Sequence, residues 1–298
     1  MDSIARVGSA AGRRLDVARL LGWPWLPLGV GWLLAVVLVG SLSPLVGLLV
    51  ALGFSGAFVA GLVGVGGAIV MIPLLLYVPP ALGLDSLAIH TVAGITIVQV
   101  AAGALAGLGG HVPHVDRRLF VAVGGPMIGG SLTGGVLSAA VDPAVLRAVF
   151  AILATLAAVS MLGARGRLPE PRADGSFRLG PAAAIGGAVG LLGGLVGAGG
   201  AFVLVPLLVH GLRLPLRTVI GTSLAVVASA ALSGLLGKAL TGQIEWSLAA
   251  ALVAGALPGG RLGAAVSRRT RPRWLAFWLG LLTAAVAARM WFELARLG

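Results

Sequence analysis

The chain has 298 residues, 58% of them hydrophobic and only 10% charged, with a mean hydropathy of +1.07. Soluble domains are about 25% charged, so a cytosolic globule is excluded, and the 48 glycines follow no Gly-X-Y period and exclude collagen. The net charge of +12 comes with only 5% aromatic residues and no basic stripe interleaved with stacking rings, so nucleic acid is excluded as a partner.

The first 22 residues carry Arg6, Arg13, Arg14 and Arg19, with no small-residue cleavage site followed by a polar mature domain. Residues 1–25 therefore read as a cytoplasmic arm. Between Arg19 and Asp85 there is no Asp, Glu, Lys, Arg or His, a window long enough for more than one crossing at about 20 apolar residues each. The spacing predicts one preceding helix over 26–42, bounded by Trp23, Pro24 and Trp25 and then by Ser41 to Pro44. Five apolar segments follow, at about 45–64, 66–79, 86–109, 118–139 and 143–163. A polar, arginine-rich linker spans 165–179, and five more segments lie at about 180–197, 199–212, 217–238, 246–265 and 273–295.

The two sets are copies of one another. Gly61, Gly64, Gly66, Gly67, Pro73, Leu74 and Leu75 align without a gap on Gly194, Gly197, Gly199, Gly200, Pro206, Leu207 and Leu208. Downstream, Ile89-His90-Thr91 falls on Ile220-Gly221-Thr222, and Val115-Asp116 on Ile244-Glu245. Residues 43–164 form repeat 1 and residues 180–298 repeat 2.

Charge bias sets the orientation. With the arm inside, sixteen basic residues fall on the cytoplasmic face, among them Arg117, Arg118, Arg165, Arg213 and Arg268, against Arg147, Lys238, Arg289 and Arg296 outside. The first two segments of each repeat leave and return to one face and three crossings follow, so each repeat has odd parity. The expected fold is an all-α polytopic membrane protein with two inverted-topology repeats of five segments, a plan used by secondary transporters. It would be multi-pass in the cytoplasmic membrane, with a cytoplasmic N-terminus and the lipid bilayer as a partner.

The repeated Gly-x-Gly-Gly (Gly64, Gly66, Gly67; Gly197, Gly199, Gly200) ends one segment and opens the next. Broken helices there would aim free N–H groups and positive dipole ends at the gap, two amide cradles suited to an anion. The same glycines equally serve close helix packing. The third segments carry His90, Thr91, Thr96 and Gln99 in one half and Thr222, Ser223, Ser229 and Ser233 in the other. Thr91 and Thr222 occupy equivalent places and suggest a paired hydroxyl site. Gln99 and His90 are large polar groups of the kind that face a cavity, although His90 also reads as a surface histidine at a helix start. Arg261, Lys238 and Arg289 are expected to snorkel to the interfaces.

Asp85, Asp116, Asp142, Glu245 and Glu293 all lie near segment ends or in loops, so a conventional carboxylate proton relay is not expected. There is no cysteine, no phosphate-binding Gly-x-x-x-x-Gly-Lys-Ser/Thr, no nucleophile–base pair and no metal cluster in the apolar regions. An enzyme is not expected, nor a cofactor.

Both glycine blocks, GLVGVGGAIVMIPLLL and GLVGAGGAFVLVPLLV, resemble the signature of the TauE/SafE sulfite-exporter family. The block GTSLAVVASAALSGLLGKALTGQIEW is similar to that family's second-repeat pattern, Gly-Thr-Ser followed by a Gly-x-hydrophobic-acidic-Trp turn. The resemblance covers about Leu45 to the C-terminus. It implies transport of small sulfur-containing anions, such as sulfite, sulfoacetate or thiosulfate, by export from the cytoplasm. It places the family's glycine motif on Gly64, Gly66, Gly67, Gly197, Gly199 and Gly200, and its Gly-Thr-Ser on Gly221, Thr222 and Ser223. The first half has His90-Thr91-Val92 at that place, so a serine is lost and a histidine gained. A homodimer is compatible with this kind of fold. A passive anion channel and a non-transporting membrane scaffold are the rival readings.

Overall fold

The computed structural model describes residues 43–63, 68–108, 115–163, 177–214, 216–267 and 272–297. The arm, the 26–42 segment, most of the linker and the first-half glycines Gly64, Gly66 and Gly67 lie outside those residues. By its contacts the chain divides into two units, Met1–Gly47 and Leu48–Gly298, and the fold below is that of the second.

Every described element is helical. The helices are α1 (Pro44–Val63), α2 (Ala68–Ala81), α3 (Ile89–Leu108), α4 (Arg117–Ala140) and α5 (Pro143–Gly163). Then come α6 (Leu179–Val196), α7 (Ala201–Pro206 with the π turn Leu207–Gly211), α8 (Leu216–Leu240), α9 (Trp246–Ser267) and α10 (Pro272–Leu297). Each coincides with an apolar segment read from the sequence to within three residues at either end.

Arg117–Ala140, Pro143–Ser160, Leu179–Val196 and Gly221–Leu240 are each long and apolar enough to cross a bilayer. This is a multi-pass membrane protein. By contrast α2, at 14 residues, reaches only about 21 Å against a hydrocarbon core of about 30 Å. Proline shapes two of the helices. Pro206 is followed at once by the π turn of α7, and Pro126 comes just after the π turn Phe120–Gly124 of α4. A proline ring collides with the carbonyl four residues back, and a widened turn relieves the collision.

Glycine decides which helices touch. A Cβ on Gly186, Gly190 or Gly194 of α6 would fall on the backbone of Val123, Met127 or Ser131 of α4, one turn apart in each helix. Gly130 and Gly134 reciprocate against Gly187 and Leu191. The register rises in both chains together, so α4 and α6 run parallel. The other pair built this way is α1 with α9, where Gly255, Gly259 and Gly263 close on Val50, Phe54 and Phe58 and Gly53 closes on Leu252. Where lipid is as apolar as leucine, such backbone approach and the dispersion it permits hold helices together.

The remaining large interfaces are α3 with α8, α4 with α8, α3 with α9 and α5 with α10. The pattern reads the same when the halves are exchanged: segment one of each half lies on segment four of the other, and third and fifth segments pair with their own counterparts. Helix α3 runs antiparallel to α8, since Gly94 near its start meets Gln243 just past α8, whereas Asp116, beyond its end, reaches Thr222 near the start of α8.

Candidate functional site

The second-half glycine motif is a true break between helices. Gly197, Gly199 and Gly200 have φ of 75°, 63° and 70°, a left-handed backbone that only glycine enters without strain. Ala198 N–H donates to the Gly193 carbonyl at 2.9 Å, closing α6 in a Schellman turn. On the far side Val203 and Leu204 both donate to the Gly200 carbonyl. Gly199 and Gly200 form the turn that leads into α7, whose first N–H groups face back toward it. A helix start leaves such groups without an intrahelical acceptor.

The break rests on α3. A Cβ on Gly197 would fall on the Ala93 carbonyl, and one on Gly199 would stand 2.5 Å from Val100 Cγ1 and 3.6 Å from Val227 Cγ1 of α8. Thr96 lies between Ala93 and Val100 on α3, and Gln99 lies three residues beyond Thr96. Both are buried, at 0% and 4% exposure. From α4, Ser131, at 1% exposure, comes into the same layer: it backs Gly194 and its Oγ would be 2.5 Å from a Cβ on Gly234 of α8. Thr96 Oγ1, Gln99 Oε1 and Ser131 Oγ are buried without any hydrogen-bond partner. An unpaired buried polar atom costs about 1–3 kcal/mol, and all three lie on α3 and α4, which pack with α6 and α8.

Other polar residues singled out in the sequence are placed apart from this layer. His90, half-buried, donates from Nε2 to the Val141 carbonyl at 3.1 Å and ties the start of α3 to the loop before α5. Thr91 is two residues, about 200° around the helix, from Ala93, and so lies on the opposite face from the break. Thr222, at 0% exposure, accepts the Asp116 N–H at 3.0 Å at the other end of the α3–α8 pair. Thr91 and Thr222 are therefore not brought together. Ser223 is buried one residue on. Ser229 and Ser233 spend their hydroxyls on the Ala225 and Ile128 carbonyls.

Lys238 requires a correction. Rather than snorkelling, it is fully buried and donates to Ser138 Oγ at 2.6 Å, the Leu195 carbonyl at 3.2 Å and Gln243 Oε1 at 3.2 Å. The oxygens that hold it come from three separate elements, so the side chain turns inward to them instead of along the helix to water. Arg261 is exposed, and Arg289 pairs with Glu293 at 3.3 Å and lies 4.0 Å over the Tyr77 ring. Ser131 carries no sequence signal beyond its place in a glycine run. Lys238 does carry one, a charge inside an apolar segment. Among the described residues no three His, Asp or Glu gather to hold a metal.

Comparison with known proteins settles the family. Residues 48–290 match the family model described as "Sulfite exporter TauE/SafE". The chain belongs to the TauE/SafE family. One relative, a "Probable membrane transporter protein" of Xylella fastidiosa strain 9a5c, is 33% identical over 235 residues, 74% of this chain and 85% of its own. Another, the "Probable membrane transporter protein YunE" of Bacillus subtilis strain 168, is 26% identical over 268 residues, 83% of this chain and 97% of its own. No solved structure matches. The matched span runs from within α1 to within α10 and so takes in the break, the unpartnered layer and Lys238. As a TauE/SafE member the chain is a membrane transporter, and its relatives are named for transport rather than for catalysis.

Proposed function

We propose that the chain is a secondary transporter of small anions, sulfite or organosulfonates such as sulfoacetate, exporting them across the cytoplasmic membrane by alternating access. The observation that carries this reading is the unpartnered layer, Thr96, Gln99 and Ser131, beside the helix start at the Gly197–Gly200 break. The Thr96 and Ser131 hydroxyls and backbone N–H groups at a helix start can donate, and an oxyanion is a ligand that only accepts. Their dipoles replace hydration while leaving release feasible. Gly64, Gly66 and Gly67 would supply the matching cradle of an inverted repeat, with His90, Thr91, Thr222 and Ser223 flanking the route at either end. The N-terminus would be cytoplasmic, with a homodimer as the assembly compatible with the fold.

The test is counterflow in proteoliposomes preloaded with unlabelled sulfoacetate, offered labelled sulfoacetate outside, with sulfite, thiosulfate, sulfate and acetate as competitors. Uptake blocked by a sulfur anion and not by acetate supports the proposal. Absence of counterflow in folded protein overturns the organosulfur assignment, and large voltage-driven currents in its place identify a channel. Gly200→Leu, which forces a side chain onto a left-handed backbone and against Val189 Cγ1 at 2.5 Å, is expected to abolish counterflow. Unchanged transport in that variant rules out the cradle.

A further inference from the structure

Lys238 is the only charged side chain among the described residues that is fully buried. Each of the oxygens around Nζ is neutral: a hydroxyl, a backbone carbonyl and a side-chain amide. Gln243 is held in this orientation, with Oε1 to the lysine and Nε2 donating to the Gly135 carbonyl at 2.9 Å. An ammonium ion at this position donates to all three of these oxygens at once. The carboxylates at this end of the helices are turned elsewhere: Asp142 accepts the Ala144 N–H, and Glu245 is exposed. Buried charge in hydrocarbon is costly unless opposed by another. Here the protein supplies no such partner among the described residues.

What lies next to the ammonium is the unpartnered layer. Gly234 is one turn before Lys238 on α8, and Gly194 immediately precedes Leu195 on α6. Both glycines close on Ser131, whose Oγ has no partner. We propose that Lys238 is the fixed counter-charge of the transported anion, acting through its field rather than by contact. As the ammonium its three protons are engaged, so it sets the sign of the guest while the Thr96 and Ser131 hydroxyls touch it. Its hold on the Leu195 carbonyl keeps that charge in register with the break. This rests on the anion-transport reading above and adds the group that enforces it.

The test uses two isosteres that differ in charge, methanesulfonate and methanesulfonamide, competing for labelled sulfite binding to purified full-length protein in detergent. Wild type is expected to prefer methanesulfonate. Lys238→Gln is expected to weaken methanesulfonate at least tenfold and leave methanesulfonamide unchanged. A unit charge roughly 10 Å away at an effective dielectric of about 20 gives an effect of this size. Lys238→Arg is expected to keep the preference. Gln243→Glu sets a carboxylate beside Nζ and neutralises the field with the lysine in place, so it should reproduce the Lys238→Gln pattern even if that variant does not fold. Equal weakening of both ligands would make Lys238 a structural tie and overturn the proposal while leaving transport intact. If wild type binds neither sulfite nor methanesulfonate, the transport reading fails first and this proposal with it.

Discussion

At Thr96, Gln99 and Ser131 the chain holds three buried polar atoms that the folded protein does not satisfy. That has a measurable signature, because a residue kept for its ligand and not for the fold is a stability liability in the empty protein. Thr96→Val and Ser131→Ala are expected to melt at or above the wild-type temperature, with gains of up to about 1 kcal/mol each, yet to lose most counterflow. Melting curves in detergent beside transport assays check both halves of this. Ser138 sits in the opposite position, spent on Gly135 and Lys238, so Ser138→Ala is expected to cost about 1–3 kcal/mol of stability. Gln99 and Thr96 were legible in the sequence as polar residues inside an apolar segment. Ser131 was not, since serine is cheap to place in a membrane helix and its neighbours are glycines whatever its role.

Helix existence was legible almost throughout, because each segment is an uninterrupted apolar run with a polar or proline-bearing boundary. Partners were not. The i, i+4 spacing of Gly186, Gly190 and Gly194 announces a face for close packing, but only the fold shows that α4 fills it. The glycines at 197–200 were open to a packing reading and a binding reading. The geometry shows the packing task, since this backbone rests on Ala93 and Val100. Gly190→Leu and Gly259→Leu, each driving a side chain into the backbone of a neighbouring helix, are expected to cost at least about 3 kcal/mol and to abolish monodisperse protein. Gly103→Ala and Gly129→Ala, where a Cβ meets nothing within 4 Å, should be tolerated and add up to about 1 kcal/mol. Size-exclusion profiles and melting temperatures compare the two sets directly.

For the whole molecule, orientation was read from arginine alone and remains open to direct test. The loops at 82–88 and 241–245 lie at one end of the α3–α8 pair, and residues 115–116 lie at the other. The chain has no cysteine, so single replacements report without background. Asp85→Cys and Glu245→Cys are expected to react with an impermeant maleimide applied to intact cells, and Arg117→Cys only after the membrane is opened. The reverse pattern would turn the protein over in the membrane. The packing also shows which bodies could move against one another. The tight pairs are α4 with α6 and α1 with α9, each joining one half of the chain to the other, so a rocking motion would divide the molecule across the repeats instead of between them.

That cross-pairing also bears on how the protein is made. When the first half has entered the membrane, the glycine faces of α1 and α4 are finished but their partners do not yet exist. The partner of α4 follows soon after, but α1 ends at Val63 and α9 begins only at Trp246. At ~5–20 residues per second of synthesis, the wait is roughly 10 to 40 s. During that interval a smooth, sticky helix face is open to lipid, to the insertion machinery and to other nascent chains. Slowed elongation or an early stop within the second half would therefore leave an unpaired α1, a product for membrane quality control to recognise and remove.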